Sequence, residues 1–125
     1  MLPLTMTDEE RPHIDAIGRS MEAGFRFLHL RSDDGLVVAA IYAERWRDGA
    51  LDTYTALGMT EAMAARYPAP GGPADVDPHP LWHASGSVQE VVTDLLALPR
   101  HGERGAPRKR LQAPSNLWLP PSARP

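Results

Sequence analysis

The chain has 125 residues, a formal net charge of −3, 42% apolar residues, thirteen prolines and no cysteine. This length and apolar content suit one domain with a single modest core. The absence of cysteine excludes a disulfide scaffold, a thiolate metal site and a cysteine nucleophile, and it favours a reducing compartment. The longest apolar run, residues 36–43, is too short to cross a bilayer, and the start of the chain lacks a basic leader. We therefore expect a soluble cytoplasmic protein without a signal peptide and without membrane association.

Charge and proline are unevenly distributed along the chain. Residues 1–67 and 68–98 are acidic, each with a net charge of −4, whereas residues 99–125 carry a net charge of +5. Eleven of the thirteen prolines follow Tyr67. We therefore expect one domain over residues 1–99, and a basic, proline-rich tail over residues 100–125 that is solvated or docks on the body or on a partner.

The first predicted element is a helix over residues 8–23. Thr7 and Glu10 are spaced as in a capping box, and Pro12 is tolerated only near the first turn of a helix. Apolar residues then recur at spacings of three and four, which is typical of one helix face: Ile14, Ile17 and Met21.

Three strands are predicted next, over residues 25–31, 36–43 and 51–57. Asp34-Gly35 and Asp48-Gly49 separate them, and an Asp-Gly turn between apolar runs is typical of an antiparallel hairpin. The middle strand is apolar on both faces, so we expect it to lie centrally in the sheet and to be covered on both sides.

Residues 59–67 are predicted as a short helix that Pro68 ends. Five prolines between residues 68 and 80 exclude a helix or an interior strand there, so this segment is predicted as an irregular loop.

The last regular elements are a candidate fourth strand over residues 81–85 and a helix over residues 87–98, which Ser87 and Glu90 begin as a capping box. The predicted fold class is therefore α+β. It has a small, mostly antiparallel sheet of three or four strands covered by two main helices, in the order α-β-β-β-α-β-α.

The order of elements over residues 8–67, together with the small residues of segment 58–65, is similar to that of double-stranded-RNA-binding domains. That family places lysines at the start of its second helix, where they meet phosphates. In this chain Glu61 stands there, and no lysine precedes Lys109. The resemblance therefore implies a fold order but no RNA-binding residue.

A loop cluster of carboxylates and imidazoles is the densest set of candidate metal ligands: Asp75, Asp77, His79 and His83. Pro78 and Pro80 prevent the helix that would bring the two histidines together. Because no known ligand spacing is matched, a polar surface loop is the favoured interpretation, and no cofactor is expected.

A second candidate site is a ligand pocket between the polar face of the sheet and the loop over residues 68–83. Its residues are His29, Glu44, Asp52, Tyr54 and His83. The favoured alternative is an ordinary solvated sheet face, because the strand register cannot be read from the sequence.

Large apolar residues in the irregular segments and at a strand end are candidate interface contacts: Trp46, Trp82, Leu117, Trp118 and Leu119. Cations of the tail are candidate phosphate contacts: Arg104, Arg108, Lys109 and Arg110. The acidic body disfavours nucleic acid as the partner.

The chain carries no motif with a specific chemistry, so we expect a non-enzymatic protein-interaction or regulatory module that self-associates or binds another protein. A small enzyme or small-molecule binder is the first alternative, and weak nucleic-acid binding by the tail is the second.

Overall fold

The computed structural model of the chain describes residues 7–31 and 38–114. The predicted α+β class is confirmed. In chain order the elements are α1 (Arg11–Glu22), β1 (Arg26–Arg31), β2 (Val38–Arg47), β3 (Ala50–Gly58), β4 (Glu61–Pro68), a 3-10 turn (Pro73–Asp75), β5 (Trp82–Gly86) and α2 (Val88–Ala97). The predicted turn before β2 lies outside the described residues. Neither described helix is long and apolar enough to cross a membrane.

The strands form one five-stranded antiparallel sheet in the order β1-β2-β3-β4-β5, so each strand pairs with its neighbour in the chain. Asp48 and Gly49 join β2 to β3 with φ of +57° and +77°. These positive φ values match the right-handed twist of a hairpin, which is why Asp-Gly serves at this turn.

Two parts of the predicted order are wrong. Residues 61–68 form β4 rather than a helix, and the sheet has five strands rather than three or four. Ala62, Ala64 and Ala65 favour helix intrinsically, but pairing with β3 on one side and β5 on the other overrides that preference. The similarity to double-stranded-RNA-binding domains therefore ends after β3.

Both helices lie on one face of the sheet, here named the helix face. Small residues of β2 and β4, Ala43 and Ala64, flank the ring of Tyr54 on β3, and Val91 and Leu95 of α2 pack in the same core. Alanines at these positions allow the helices to approach the sheet closely. The fully buried Tyr54 hydroxyl lies 2.6 Å from Ser20 Oγ of α1, so this core also joins α1 to the sheet.

The predicted capping box at α2 is confirmed, since Ser87 Oγ accepts a hydrogen bond from Glu90 N and the Glu90 carboxylate accepts one from Ser87 N. The expected box at Thr7 forms only in part. Thr7 Oγ1 accepts from Glu10 N, but this turn precedes the helix, which begins at Arg11.

A charged cluster is buried between the sheet and the ends of both helices. Asp52 on β3 accepts two hydrogen bonds from Arg66 on β4, at 2.6 and 3.0 Å, and one from Arg45 on β2, at 3.1 Å. Arg45 also donates to the carbonyl of Ala23 at the end of α1, and Arg66 donates to the carbonyl of Pro99 just after α2. We name Arg45, Asp52 and Arg66 the arginine–aspartate cluster.

The other face of the sheet, here named the second face, is partly covered by the proline-rich loop. Val76 of this loop and Trp46 pack against Leu51, Ala65 and Tyr67. Three backbone hydrogen bonds hold the loop: Ala69 N to Gly49 O, Asp77 N to Pro68 O and Leu81 N to Arg66 O. Proline restricts the loop's conformations, and these bonds then fix it against the body.

The described part of the tail also contacts the body. Arg100 donates two hydrogen bonds to Asp48, at 2.8 and 3.0 Å, and Arg110 forms an ion pair with Asp77 at 2.9 Å. Leu111 N donates to Pro80 O at 2.7 Å. The basic tail thus neutralises acids of the body.

We predict that Asp52→Asn lowers the free energy of unfolding by about 3–5 kcal/mol at neutral pH, because it leaves two nearly buried guanidinium groups without their counter-charge. Urea unfolding of the purified protein measures this loss. Asp48→Asn is the matched control, since it removes the partner of the solvent-exposed Arg100, and we expect a much smaller loss. Equal losses in the two variants would contradict the assignment.

Candidate binding groove

An apolar groove with a volume of about 230 Å³ lies at the end of the molecule opposite the arginine–aspartate cluster. It is bounded by the first turns of α1, the start of α2, the hairpin between β3 and β4 and the adjoining part of β2. The large side chains that line it are almost all apolar: Ile14, Ile17, Ile41, Leu57, Met59 and Val88. The polar exception is His13.

Short polar contacts fix the three walls of this groove. Val88 N donates to Met59 O at 2.8 Å, which joins α2 to the hairpin. His13 Nδ1 accepts a hydrogen bond from Gln89 N at 3.2 Å, which joins α1 to α2. The groove is therefore preformed, and His13 is occupied in holding it together.

An irregularity in the strand register shapes the floor of the groove. The pairing of β3 with β4 shifts between Ala56 and Gly58, so Leu57 lies in a bulge. A bulge re-aims the side chains around it, and here the consecutive residues Ala56 and Leu57 both line the groove.

Large apolar side chains remain exposed around this groove. Ile14 is 42% exposed, Leu57 53% and Met59 41%. Single exposed apolar residues are ordinary on protein surfaces, but three around one concave site are typical of an interaction surface.

One acidic residue lies close to the groove. Glu10 stands one turn before Ile14, a lining residue of α1, whereas Glu61 and Glu90 line neighbouring depressions of the surface and not the groove. The backbone N–H of Ser87 lowers the pKa of the Glu90 carboxyl, so this group is ionised at neutral pH.

The five residues predicted to line a ligand pocket do not come together. The strand register places His29, Asp52 and Tyr54 on the helix face, and Glu44 and His83 on the second face. Asp52 is engaged by the two arginines, and the Tyr54 hydroxyl lies against Ser20. Burial raises the pKa of Tyr54 to about 12, so its hydroxyl stays protonated at neutral pH.

The predicted metal ligands are likewise dispersed. Asp77 accepts a hydrogen bond from His79 N at 2.9 Å and pairs with Arg110, while His83 lies on β5 and Asp75 packs against Gly71. Within residues 7–31 and 38–114, no three histidine or acidic side chains are placed to hold a metal ion. Asp77 instead fixes the loop and the tail.

The predicted interface residues and the predicted phosphate contacts lie in different parts of the structure. Trp46 is half-buried on the second face, and Trp82 is half-buried against the core of the helix face. The remaining interface candidates lie outside the described residues: Leu117, Trp118 and Leu119. The four candidate phosphate contacts are all exposed. Arg110 pairs with Asp77, and the other three are Arg104, Arg108 and Lys109.

Sequence reasoning missed the groove although two of its residues belong to the predicted stripe of α1, Ile14 and Ile17. The available signal was an apolar pair, Leu57 and Met59, flanking Gly58 at a turn. Predicting a helix from residue 59 concealed this turn.

The chain was compared with family models, with curated proteins and with solved structures, and none of the three comparisons found a match.

We predict that Ser87→Ala raises the pKa of Glu90 toward its ordinary value, because the capping geometry that presents Ser87 N to the carboxylate is lost. In the unchanged protein the folded-state pKa is lowered, so the box stabilises α2 above the unfolded carboxyl's pKa and ceases to do so as pH falls through the folded pKa. Carbon-detected NMR titration of the Glu90 carboxyl measures the change.

Ser85→Ala is the matched control for this titration, since Ser85 is an exposed serine on β5 outside the cap. The same Glu90 titration in both variants would show that the box does not set this pKa.

Proposed function

We propose that this protein is a non-enzymatic protein-interaction module whose groove receives one or two large apolar side chains of a partner segment. The observation that carries the proposal is the preformed apolar groove with exposed Ile14, Leu57 and Met59 around it. At about 230 Å³ the groove is smaller than the roughly 300–1,000 Å³ typical of small-molecule sites, so it suits side chains better than a cofactor or substrate.

The charge around the groove specifies the partner further. Glu10 stands one turn before the lining residue Ile14, and Glu61 and Glu90 line neighbouring depressions, so a partner segment with Lys or Arg beside its apolar residues is complementary to this side of the molecule. Such charges speed association and exclude acidic competitors, while the buried apolar side chains supply the affinity.

A small enzyme or small-molecule binder has less support. Its candidate residues are divided between the two faces of the sheet, and several of them already serve structural contacts, as Asp52 and Tyr54 do. Weak nucleic-acid binding rests on three exposed cations, Arg104, Arg108 and Lys109, beside an acidic body.

Self-association of this protein stays a prediction, and it belongs to the same class of protein–protein interaction. Among residues 7–31 and 38–114, the strands β1 and β5 each pair on one side only, and a free sheet edge can pair with a second copy. Light scattering across a concentration series separates a dimer from a monomer that binds another protein.

We predict that a displayed random-peptide library selected on this protein enriches peptides with paired large apolar residues beside Lys or Arg. Ile14→Asp should weaken binding of the enriched peptides at least tenfold, because it places a charge in the apolar groove. Isothermal calorimetry measures the affinity, and amide NMR shifts locate the peptide.

Met21→Asp is the matched control, because Met21 is a 60% exposed apolar residue on the same helix but does not line the groove. Equal weakening by both substitutions would contradict the proposal, as would peptide-induced shifts away from Leu57, Met59 and Val88.

A further inference from the structure

The hydrogen bond that joins α1 to α2 beside the groove depends on the charge state of His13. Gln89 N is a backbone amide, which can only donate, so His13 Nδ1, 3.2 Å away, is the acceptor. An imidazole nitrogen accepts a hydrogen bond only while it carries no proton. The bond therefore belongs to the neutral form of His13 and cannot exist in the imidazolium form, in which both ring nitrogens are donors.

This bond also completes the start of α2. The first N–H groups of a helix have no partners within the helix and need other acceptors. The β3–β4 hairpin supplies the acceptor for Val88 N, and the hydroxyl of Ser87 supplies that for the third helical position. At the second position, Gln89 N donates to His13 of the other helix. A titratable side chain of α1 thus caps α2.

Protonation of His13 acts against this contact in two ways. It converts Nδ1 from an acceptor into a donor that faces the donor Gln89 N, so the amide loses its partner. It also places a positive charge at the start of α2, where the helix dipole is already positive. Both effects separate the imidazole from α2.

The charged groups around His13 do not restore the bond. On α2, the pKa of the Glu90 carboxyl is lowered mainly by hydrogen bonds from Ser87 and further by the charge of His13. On α1, Glu9 and Glu10 stand one turn before His13. The groove residues of β2 and of the hairpin are uncharged. The three carboxylates favour the imidazolium, but an imidazolium still has no acceptor for an amide.

We propose that His13 is a pH-sensitive joint of the groove, which holds α1 against α2 while it is neutral and releases the groove end of α1 when it is protonated. Histidine changes its charge between about pH 5 and 8, and His13 is half-buried, so solvent protons reach it. As a device that regulates partner binding, the joint rests on the proposed function.

The release is confined to the groove end of the helices. Farther along α1, Arg19 Nη2 donates to Thr93 Oγ1 of α2 at 3.1 Å, and this contact does not titrate near neutral pH. Ile14 and Ile17 of α1 and Val88 of α2 line the groove beside the joint, so its release moves these walls apart. The imidazolium also repels the Lys or Arg of the proposed partner, so acidification weakens binding in both ways.

The test follows the free, isotope-labelled full chain by NMR from about pH 8 to about pH 5. We expect a scalar coupling across the hydrogen bond between Gln89 N and His13 Nδ1 at the upper pH and its loss at the lower pH. The amide signals of Met59 and Val88 should shift with the same midpoint as the His13 ring. Protection of the Gln89 amide from hydrogen exchange should fall at least about threefold beyond the intrinsic effect of pH.

His13→Asn is the decisive variant, because Asn Oδ1 can accept from Gln89 N as Nδ1 does but does not titrate. It should keep the Gln89 amide protected at both pH values and remove the pH-dependent shifts of Met59 and Val88. His29→Asn is the matched control, since His29 is an exposed histidine on β1 that does not line the groove, and it should leave those shifts unchanged.

The proposal is overturned if the coupling is absent at about pH 8, if it persists at about pH 5, or if the shifts of Met59 and Val88 survive in His13→Asn. Each of these readouts concerns the free protein. A failed joint therefore leaves the peptide selection to its own result, and a selection that enriches no peptide leaves these readouts unchanged.

Discussion

The architecture depends on a single buried carboxylate. Asp52 lies at the centre of the sheet between Arg45 and Arg66, and each arginine continues to a carbonyl at the end of one helix. Two cations around one anion leave an excess positive charge, which the carbonyls of the helix ends help to offset. Burying charge in this way is costly unless every partner is present, so the cluster specifies where both helices end against the sheet.

The opposite ends of the two helices are joined by weaker neutral contacts, and there the apolar groove opens. His13 and Gln89 join α1 to α2, while Val88 and Met59 join α2 to the hairpin. The molecule thus separates a polar end that fixes the fold from an apolar end where the groove opens, which is the site of the proposed interaction. On the second face, the proline-rich loop packs through Val76, and the described part of the tail is bonded to that loop at Asp77 and Pro80.

Much of this fold follows from local sequence signals. The periodic stripe of α1, the capping box of α2 and the Asp48-Gly49 turn each locate an element, because these signals act within a few residues. Residues 61–68 carry helix-favouring alanines, and pairing with β3 and β5 makes them β4. The candidate site was less predictable, since the groove joins residues from α1, β2, α2 and the β3–β4 hairpin, and the roles of Asp52 and Tyr54 depend on strand register.

A double-mutant cycle on Arg45→Met and Arg66→Met, followed by urea unfolding, tests most directly whether one carboxylate unites the two helix ends. Each single variant leaves Asp52 with one cation, whereas the double variant leaves a buried carboxylate with none. The combined loss of stability should therefore exceed the sum of the single losses by about 1–3 kcal/mol. Additive losses would contradict the account, because they would mean that the two arginines act independently of Asp52.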